Sequence, residues 1–168
     1  ENLPGIGAAF KALTVAMNNR AAKIQKSNAI KRYIMKKFAE LLPTVSYATY
    51  CARITPNRLA LEIVMLSGEI DYLHNTILLF IVKRGRPQMC NSKFKKELEL
   101  RGVIVSIGSA CNTANQRASH VLYAMGADEL IRKGALRISL GDNTTMLDAK
   151  IFIQAFMDVL KGNKWHAD

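Results

Sequence analysis

A cysteine at the end of a run of small residues, Gly108-Ser109-Ala110-Cys111, is the first group in this sequence that could do covalent chemistry. A thiol becomes a nucleophile or a sulfur carrier when it is accessible, mobile and readily ionised. A small-residue loop after an apolar stretch supplies the first two conditions. The local sequence offers no charged partner for the third. His120 lies nine residues on, and nothing in the spacing turns it toward the thiol. The same pattern also describes a small residue packed beneath a loop, the commoner fate of cysteine. The second candidate is Arg137, inside the otherwise apolar run Ala135-Leu136-Arg137-Ile138-Ser139-Leu140. Strand alternation puts Arg137 and Ser139 on one face. A strand arginine beside a cleft can hold a carboxylate through two parallel hydrogen bonds. An edge-strand arginine facing water is the competing reading.

Other chemistries find little support. Cys51 and Cys90 open no metal-ligand spacing, and His74, His120 and His166 form no HxxxH arrangement, so no zinc site is indicated. Gly5 and Gly7 open a helical stretch, which hints at phosphate binding but equally describes a turn. No GxxxxGK[ST] run exists, which argues against a nucleotide-hydrolysing P-loop.

The elements that must position Cys111 and Arg137 follow from periodicity. Apolar residues recur at helical spacing from Ile6 through Phe10, Leu13 and Met17 to Ile30, Ile34 and Phe38. This predicts a long helix over about 5–42, started near Pro4, ended by Pro43 and broken at Asn18 or Asn19. Its lysines and arginines fall mainly between the apolar positions, as on a solvated face. Strands are expected over 45–50, 59–66 and 76–82, with turns at Pro56-Asn57 and Ser67-Gly68. A helix from Asn91 or Ser92 to about Leu100 precedes a short strand, 103–106. The Cys111 loop spans 107–117. Short helices over 119–125 and 128–133 lead to the strand 135–140. The last helix runs from Thr144 or Thr145 to about Lys161, and Thr145 with Asp148 makes a capping box with Asp in the Glu position. The expected fold class is α/β: a long N-terminal helix, then a small mixed sheet covered by helices.

At 168 residues and 49% hydrophobic, the chain is long enough for one sizeable core, and whole-chain disorder is excluded. No apolar run reaches the length of a membrane span. Three scattered cysteines suit a reducing compartment, hence the cytoplasm. No secretory signal is visible, and the chain starts at Glu1 rather than methionine. The net charge of +11 lies entirely in two segments: residues 1–40 carry eight basic and two acidic side chains, and residues 83–101 seven and two. Such a face can hold nucleic acid or an acidic partner, or simply remain solvated. Aromatics are 7% and are not interleaved with the basic runs, so base stacking is not suggested.

Several segments together resemble the C-terminal part of the NifS-like cysteine desulfurases, fold-type-I enzymes of the class V aminotransferase family that use pyridoxal phosphate. Glu1-Asn2-Leu3-Pro4-Gly5-Ile6 is similar to that family's ENLPGI opening, and His74-Asn75-Thr76 through Phe80 to its LPNTLxxSF strand. The run from Arg101 to Cys111 is similar to KGIAVSSGSAC, Ser119-His120-Val121-Leu122 through Gly126 to PSHVLLAMG, and Ala135 through Thr145 to SIRFSLGRxTT. The resemblance spans nearly the whole chain in register. It implies that Cys111 is the cysteine that receives sulfur as a persulfide when L-cysteine becomes L-alanine, and that Arg137 binds the substrate carboxylate. The GSAC form resembles the subgroup that passes sulfur to iron–sulfur cluster scaffolds, and a homodimer is implied.

The resemblance also assigns what is missing. The family's aldimine lysine follows a histidine, and no histidine here precedes a lysine. Residues 1–42 are therefore expected to form the connecting helix region and 43–168 the small domain. The large domain that binds pyridoxal phosphate lies outside this chain, which alone is expected to be inactive and to hold no cofactor residue. The pattern departs at Ala118, Asp142 and Ile107, where the family has proline, arginine and serine, and at the unusually basic stretch 83–96. Such divergence suits a specialised member, such as the NifS-like proteins of large DNA viruses, for which the virion is a second location. The rival readings are a degenerate NifS-like interaction module and a basic nucleic-acid-binding domain.

Overall fold

The computed structural model describes residues 2–53, 61–66, 75–107 and 119–162, apart from the side chain of His120. The N-terminal helical run is two helices, α1 (Leu3–Asn18) and α2 (Arg20–Leu41), broken at Asn19 as its sequence predicts. Next come β1 (Thr44–Ser46), α3 (Tyr47–Cys51), β2 (Leu61–Met65), β3 (Thr76–Lys83) and α4 (Asn91–Glu99). The order closes with α5 (His120–Ala124), α6 (Glu129–Lys133), β4 (Ala135–Ser139) and α7 (Met146–Gly162).

The four strands form one mixed sheet in the order β1-β2-β3-β4. β1 runs parallel to β2, and the other neighbours are antiparallel. Alternation sorts the side chains onto two faces. Ile63, Met65, Ile77, Leu79, Ile81, Leu136 and Ile138 point into the main core with α2, α4 and α7. Val64, Phe80 and Val82 point the other way, under Leu122, Ala127 and Ile131 of the α5–α6 region. The result is the mixed α/β sandwich expected from the sequence.

Two expected strands are corrected. The β-prone stretch 45–50 keeps only β1 and turns helical at Tyr47. Ser46 caps that turn, its Oγ accepting from the Thr49 N–H at 3.1 Å. Tyr47 meanwhile packs on Phe80, ring centroids 5.9 Å apart. The stretch 103–106 makes a single antiparallel bridge, Ser106 to Arg137, and no strand. α4 also starts without a side-chain cap, Cys90 standing at its N-cap.

Two helices also depart from the simple amphipathic picture. Lys31 is buried on α2 rather than solvated. α1 buries no residue, and Leu3, Ile6, Phe10, Leu13 and Met17 are all exposed. The capping box forms as read: Asp148 Oδ2 accepts from the Thr145 N–H at 2.8 Å, and Thr145 Oγ1 accepts from the Asp148 N–H at 3.2 Å. These bonds to Thr145 hold the Asp148 carboxyl below its usual range.

One glycine is fixed by close approach. Gly134 links α6 to β4, and its carbonyl accepts from the Ile81 N–H at 2.9 Å. A Cβ there would stand 2.0 Å from the Ile81 carbonyl oxygen. Gly134→Ala must therefore push β4 off β3, and should cost about 1–3 kcal/mol in denaturant unfolding. Gly7→Ala, where a Cβ meets nothing within 4 Å, should instead be neutral or stabilising by up to about 1 kcal/mol. Equal effects of the two would show that this contact does not constrain the sheet.

Candidate functional site

Arg137 lies on β4, one of the two outer strands of the sheet. Leu136 and Ile138 are drawn into the main core, so alternation forces Arg137 and Ser139 onto the opposite face, where both are exposed. On one side Arg137 stands across from Leu78 of β3. On the other, its N–H donates to the Ser106 carbonyl at 2.7 Å, and its carbonyl accepts from the Ser106 N–H at 3.0 Å. The Ser106 hydroxyl also accepts from Arg137 Nη2 at 3.4 Å. Both backbone hydrogen-bonding groups of this arginine thus go to Ser106, while its neighbours on β4 pair with β3 and its guanidinium faces solvent. Cys111 and the side chain of His120 lie outside the described residues.

The segment after β4 is held against α2. Asp142, which replaces the arginine of the resembled pattern, accepts from Lys23 Nζ at 2.5 Å, and its carbonyl accepts from Lys26 Nζ at 2.7 Å. Leu140 N–H donates to the Asn75 carbonyl at 2.7 Å. The start of α1 has its own occupant: Asn2 Oδ1 accepts from the Gly5 N–H at 3.0 Å. This engages the amide on which the phosphate hint rested.

The other end of the same sheet face carries residues that the sequence did not single out. A cavity of about 490 Å³ opens there, lined by Tyr47, Tyr50, Arg53, Arg84, Asp128 and Leu130 among others. The fully buried Glu62 accepts from two of the lining residues, from Arg53 Nη1 at 2.7 Å and from Arg84 Nη1 at 2.8 Å. The Tyr50 hydroxyl donates to Asp128 Oδ2 at 2.6 Å, while Asp128 Oδ1 accepts from the Ile131 N–H and caps α6. Leu78 of β3, opposite Arg137, and Arg84, just past the end of β3, are six residues apart, about 20 Å along an extended chain. The available signal was Glu62 itself, a charge inside an apolar strand.

Comparison with known proteins agrees with the fold. The chain is 26% identical, over 96% of its length, to cysteine desulfurase IscS of Clostridium botulinum. It is 40% identical over 65 residues to an IscS-like cysteine desulfurase of Mycobacterium tuberculosis. Two solved NifS-like proteins share the fold: one from Rickettsia africae with a TM-score of 0.61 at 23% identity, covering 88% of this chain, and one with a TM-score of 0.65 at 21% identity, covering 96%. The chain fits a NifS-like cysteine desulfurase. No protein-family model matches it. It spans 35% of the IscS relative and 34% of the second NifS-like structure, so it corresponds to about a third of such a protein.

The Tyr50–Asp128 bond ties α3 to the start of α6 and sets a pH dependence. Burial first, then the hydrogen bond to Asp128 and the charge of Asp128, hold the Tyr50 hydroxyl well above its ordinary value of 10.0. The folded state keeps this proton where the unfolded chain loses it. The bond's stabilisation is therefore complete below pH 10.0 and is lost as pH rises through the folded value. Tyr50→Phe should lower stability by about 1–2 kcal/mol near about pH 8. The gap to the unmutated chain should narrow in unfolding measured at successively higher pH above 10.0. A gap that stays constant across that range would exclude the linkage.

Proposed function

We propose that this chain is the C-terminal small domain of a cysteine desulfurase, which converts L-cysteine to L-alanine and leaves a persulfide on Cys111. What chiefly supports this is the setting of Arg137: an exposed guanidinium on a doubly paired strand, beside Ser106. Cys111 follows Ser106 by five residues, a covalent reach of at most about 18 Å. In this reading Arg137 binds the substrate carboxylate by a bidentate pair. The Cys111 thiolate takes the sulfur atom: its sulfur bonds to the substrate sulfur, the substrate carbon–sulfur bond breaks, and the thiol proton ends on the carbon, giving alanine and a Cys111 persulfide anion. The persulfide then passes to a sulfur acceptor, of which an iron–sulfur scaffold protein is the class that the GSAC form suggests.

The complete protein would use pyridoxal phosphate, which supplies the electron sink for breaking the carbon–sulfur bond. The described residues beside Arg137 do not fit that cofactor. Leu78, Ser106 and Ser139 offer hydroxyls and hydrocarbon but no amine to bond its aldehyde. We assign the cofactor to a large domain in the rest of the protein, which would also cover the apolar face of α1 (within residues 1–42), with 43–168 as the small domain. The complete protein would be a cytoplasmic homodimer.

In the complete protein, Arg137→Lys should weaken cysteine binding by about 1–3 kcal/mol despite keeping the charge, because the planar fork is lost. Steady-state alanine formation reads this as a raised KM. Cys111→Ser should abolish sulfide release while leaving the absorbance of the bound cofactor intact. Full desulfurase activity in the serine variant, or an unchanged KM in the lysine variant, would end the corresponding assignment.

A further inference from the structure

An exposed arginine side chain samples many rotamers, and each must be given up when its two donors meet a carboxylate. Neighbours that hold the guanidinium in advance lower that cost. Arg137 has little such help from the sheet. Across β3 it meets Leu78, which has no side-chain acceptor. Among the described residues, the side-chain oxygen that accepts from its guanidinium is Ser106 Oγ, at 3.4 Å from Nη2. Ser106 is itself fixed to Arg137 by the two backbone bonds of the bridge, so its hydroxyl cannot drift along the strand. Its partner is neutral. The Arg137 charge is therefore oriented without being cancelled, unlike that of Arg101, which donates to Glu97 Oε2 at 3.0 Å.

From this we infer that Ser106 is a positioning residue for Arg137: its hydroxyl holds Nη2 so that the remaining guanidinium edge meets the carboxylate of the amino-acid substrate. The inference rests on the carboxylate role proposed for Arg137 and adds a residue to it. Val105 on one side of Ser106 is buried, which anchors the hydroxyl from the chain direction as well.

Two measurements separate this inference from the role beneath it. In the 168-residue chain, the Arg137 Nε–Hε resonance, assigned by its disappearance in Arg137→Lys, reports how ordered the side chain is. Its heteronuclear NOE should fall in Ser106→Ala and recover in Ser106→Thr, which keeps the hydroxyl. In the complete protein, Ser106→Ala should raise KM for cysteine by about 3- to 10-fold, the scale of one hydrogen bond. Its kcat should change by less than KM, and Ser106→Thr should restore the unmutated KM. An Arg137 NOE that is the same with and without the hydroxyl overturns the positioning role, whatever the activity does. A KM that rises in Arg137→Lys but not in Ser106→Ala also overturns it and leaves the carboxylate role of Arg137 standing. If Arg137→Lys leaves KM unchanged, the carboxylate role fails and this inference fails with it.

Discussion

The packing of Phe156 is the contact on which the rest of this structure depends. Its ring, with no exposed surface, meets Phe38 of α2 at 4.7 Å, Phe94 of α4 at 5.0 Å and Phe152 of α7 at 5.9 Å, all edge-on. Three helices far apart in sequence are therefore tied at one point above the sheet. Edge-to-face rings add to the burial energy, but the larger effect is area: each aromatic side chain removes about 150–250 Å² from water. Once α2, α4 and α7 occupy that face, the strands beneath must present Ile63, Ile77, Ile81, Leu136 and Ile138 to them. The alternation that follows is what turns Arg137 to the other side.

The long-range result was legible because it follows from periodicity. The break at Asn19, the strands β2, β3 and β4, the Thr145–Asp148 box and the shared face of Arg137 and Ser139 all come from local rules that tertiary packing reinforces. What failed to show was decided by neighbours that the sequence does not reveal. The stretch 45–50 is β-prone, but Ser46 offers a cap and Tyr50 finds Asp128 of α6, 78 positions away. The stretch 103–106 has strand composition, yet it meets the sheet only where Ser106 reaches Arg137. α1 has a helical apolar stripe that reads as a core face, and burial is a property of what lies against it rather than of the stripe.

The second face of the sheet is organised from its ends. At one end, two arginines converge on the buried Glu62, and Tyr50 is bound to Asp128. A fully buried carboxylate is tolerable because each oxygen takes a charge-assisted hydrogen bond; removing one partner leaves an uncompensated charge, at a cost of about 3–5 kcal/mol. That end is consolidated by polar bonds in the way the opposite face is by hydrocarbon. At the Arg137 end the face carries a partly buried Leu78 with Arg137 and Ser139 exposed, and no helix of the described residues closes over Arg137.

The charge distribution sharpens that contrast. Several of the basic side chains stand in ion pairs: Lys23 with Asp142, Lys37 with Glu40, Lys95 with Glu99, Arg101 with Glu97 and Lys133 with Glu129. Exposed pairs of this kind contribute at most about 1 kcal/mol each and are weakened by salt. They set the solubility and surface character of the helices more than the fold. Arg137 differs in both respects that matter for binding an anion. Its strand is held on one edge by β3 and on the other by the Ser106 bridge, so the base of its side chain is fixed in space. Its described polar partner is a hydroxyl and not a carboxylate, so that partner does not cancel its charge. At 142, where the resembled pattern has arginine, the Asp carboxylate goes to Lys23 on α2, which ties the segment after β4 to that helix.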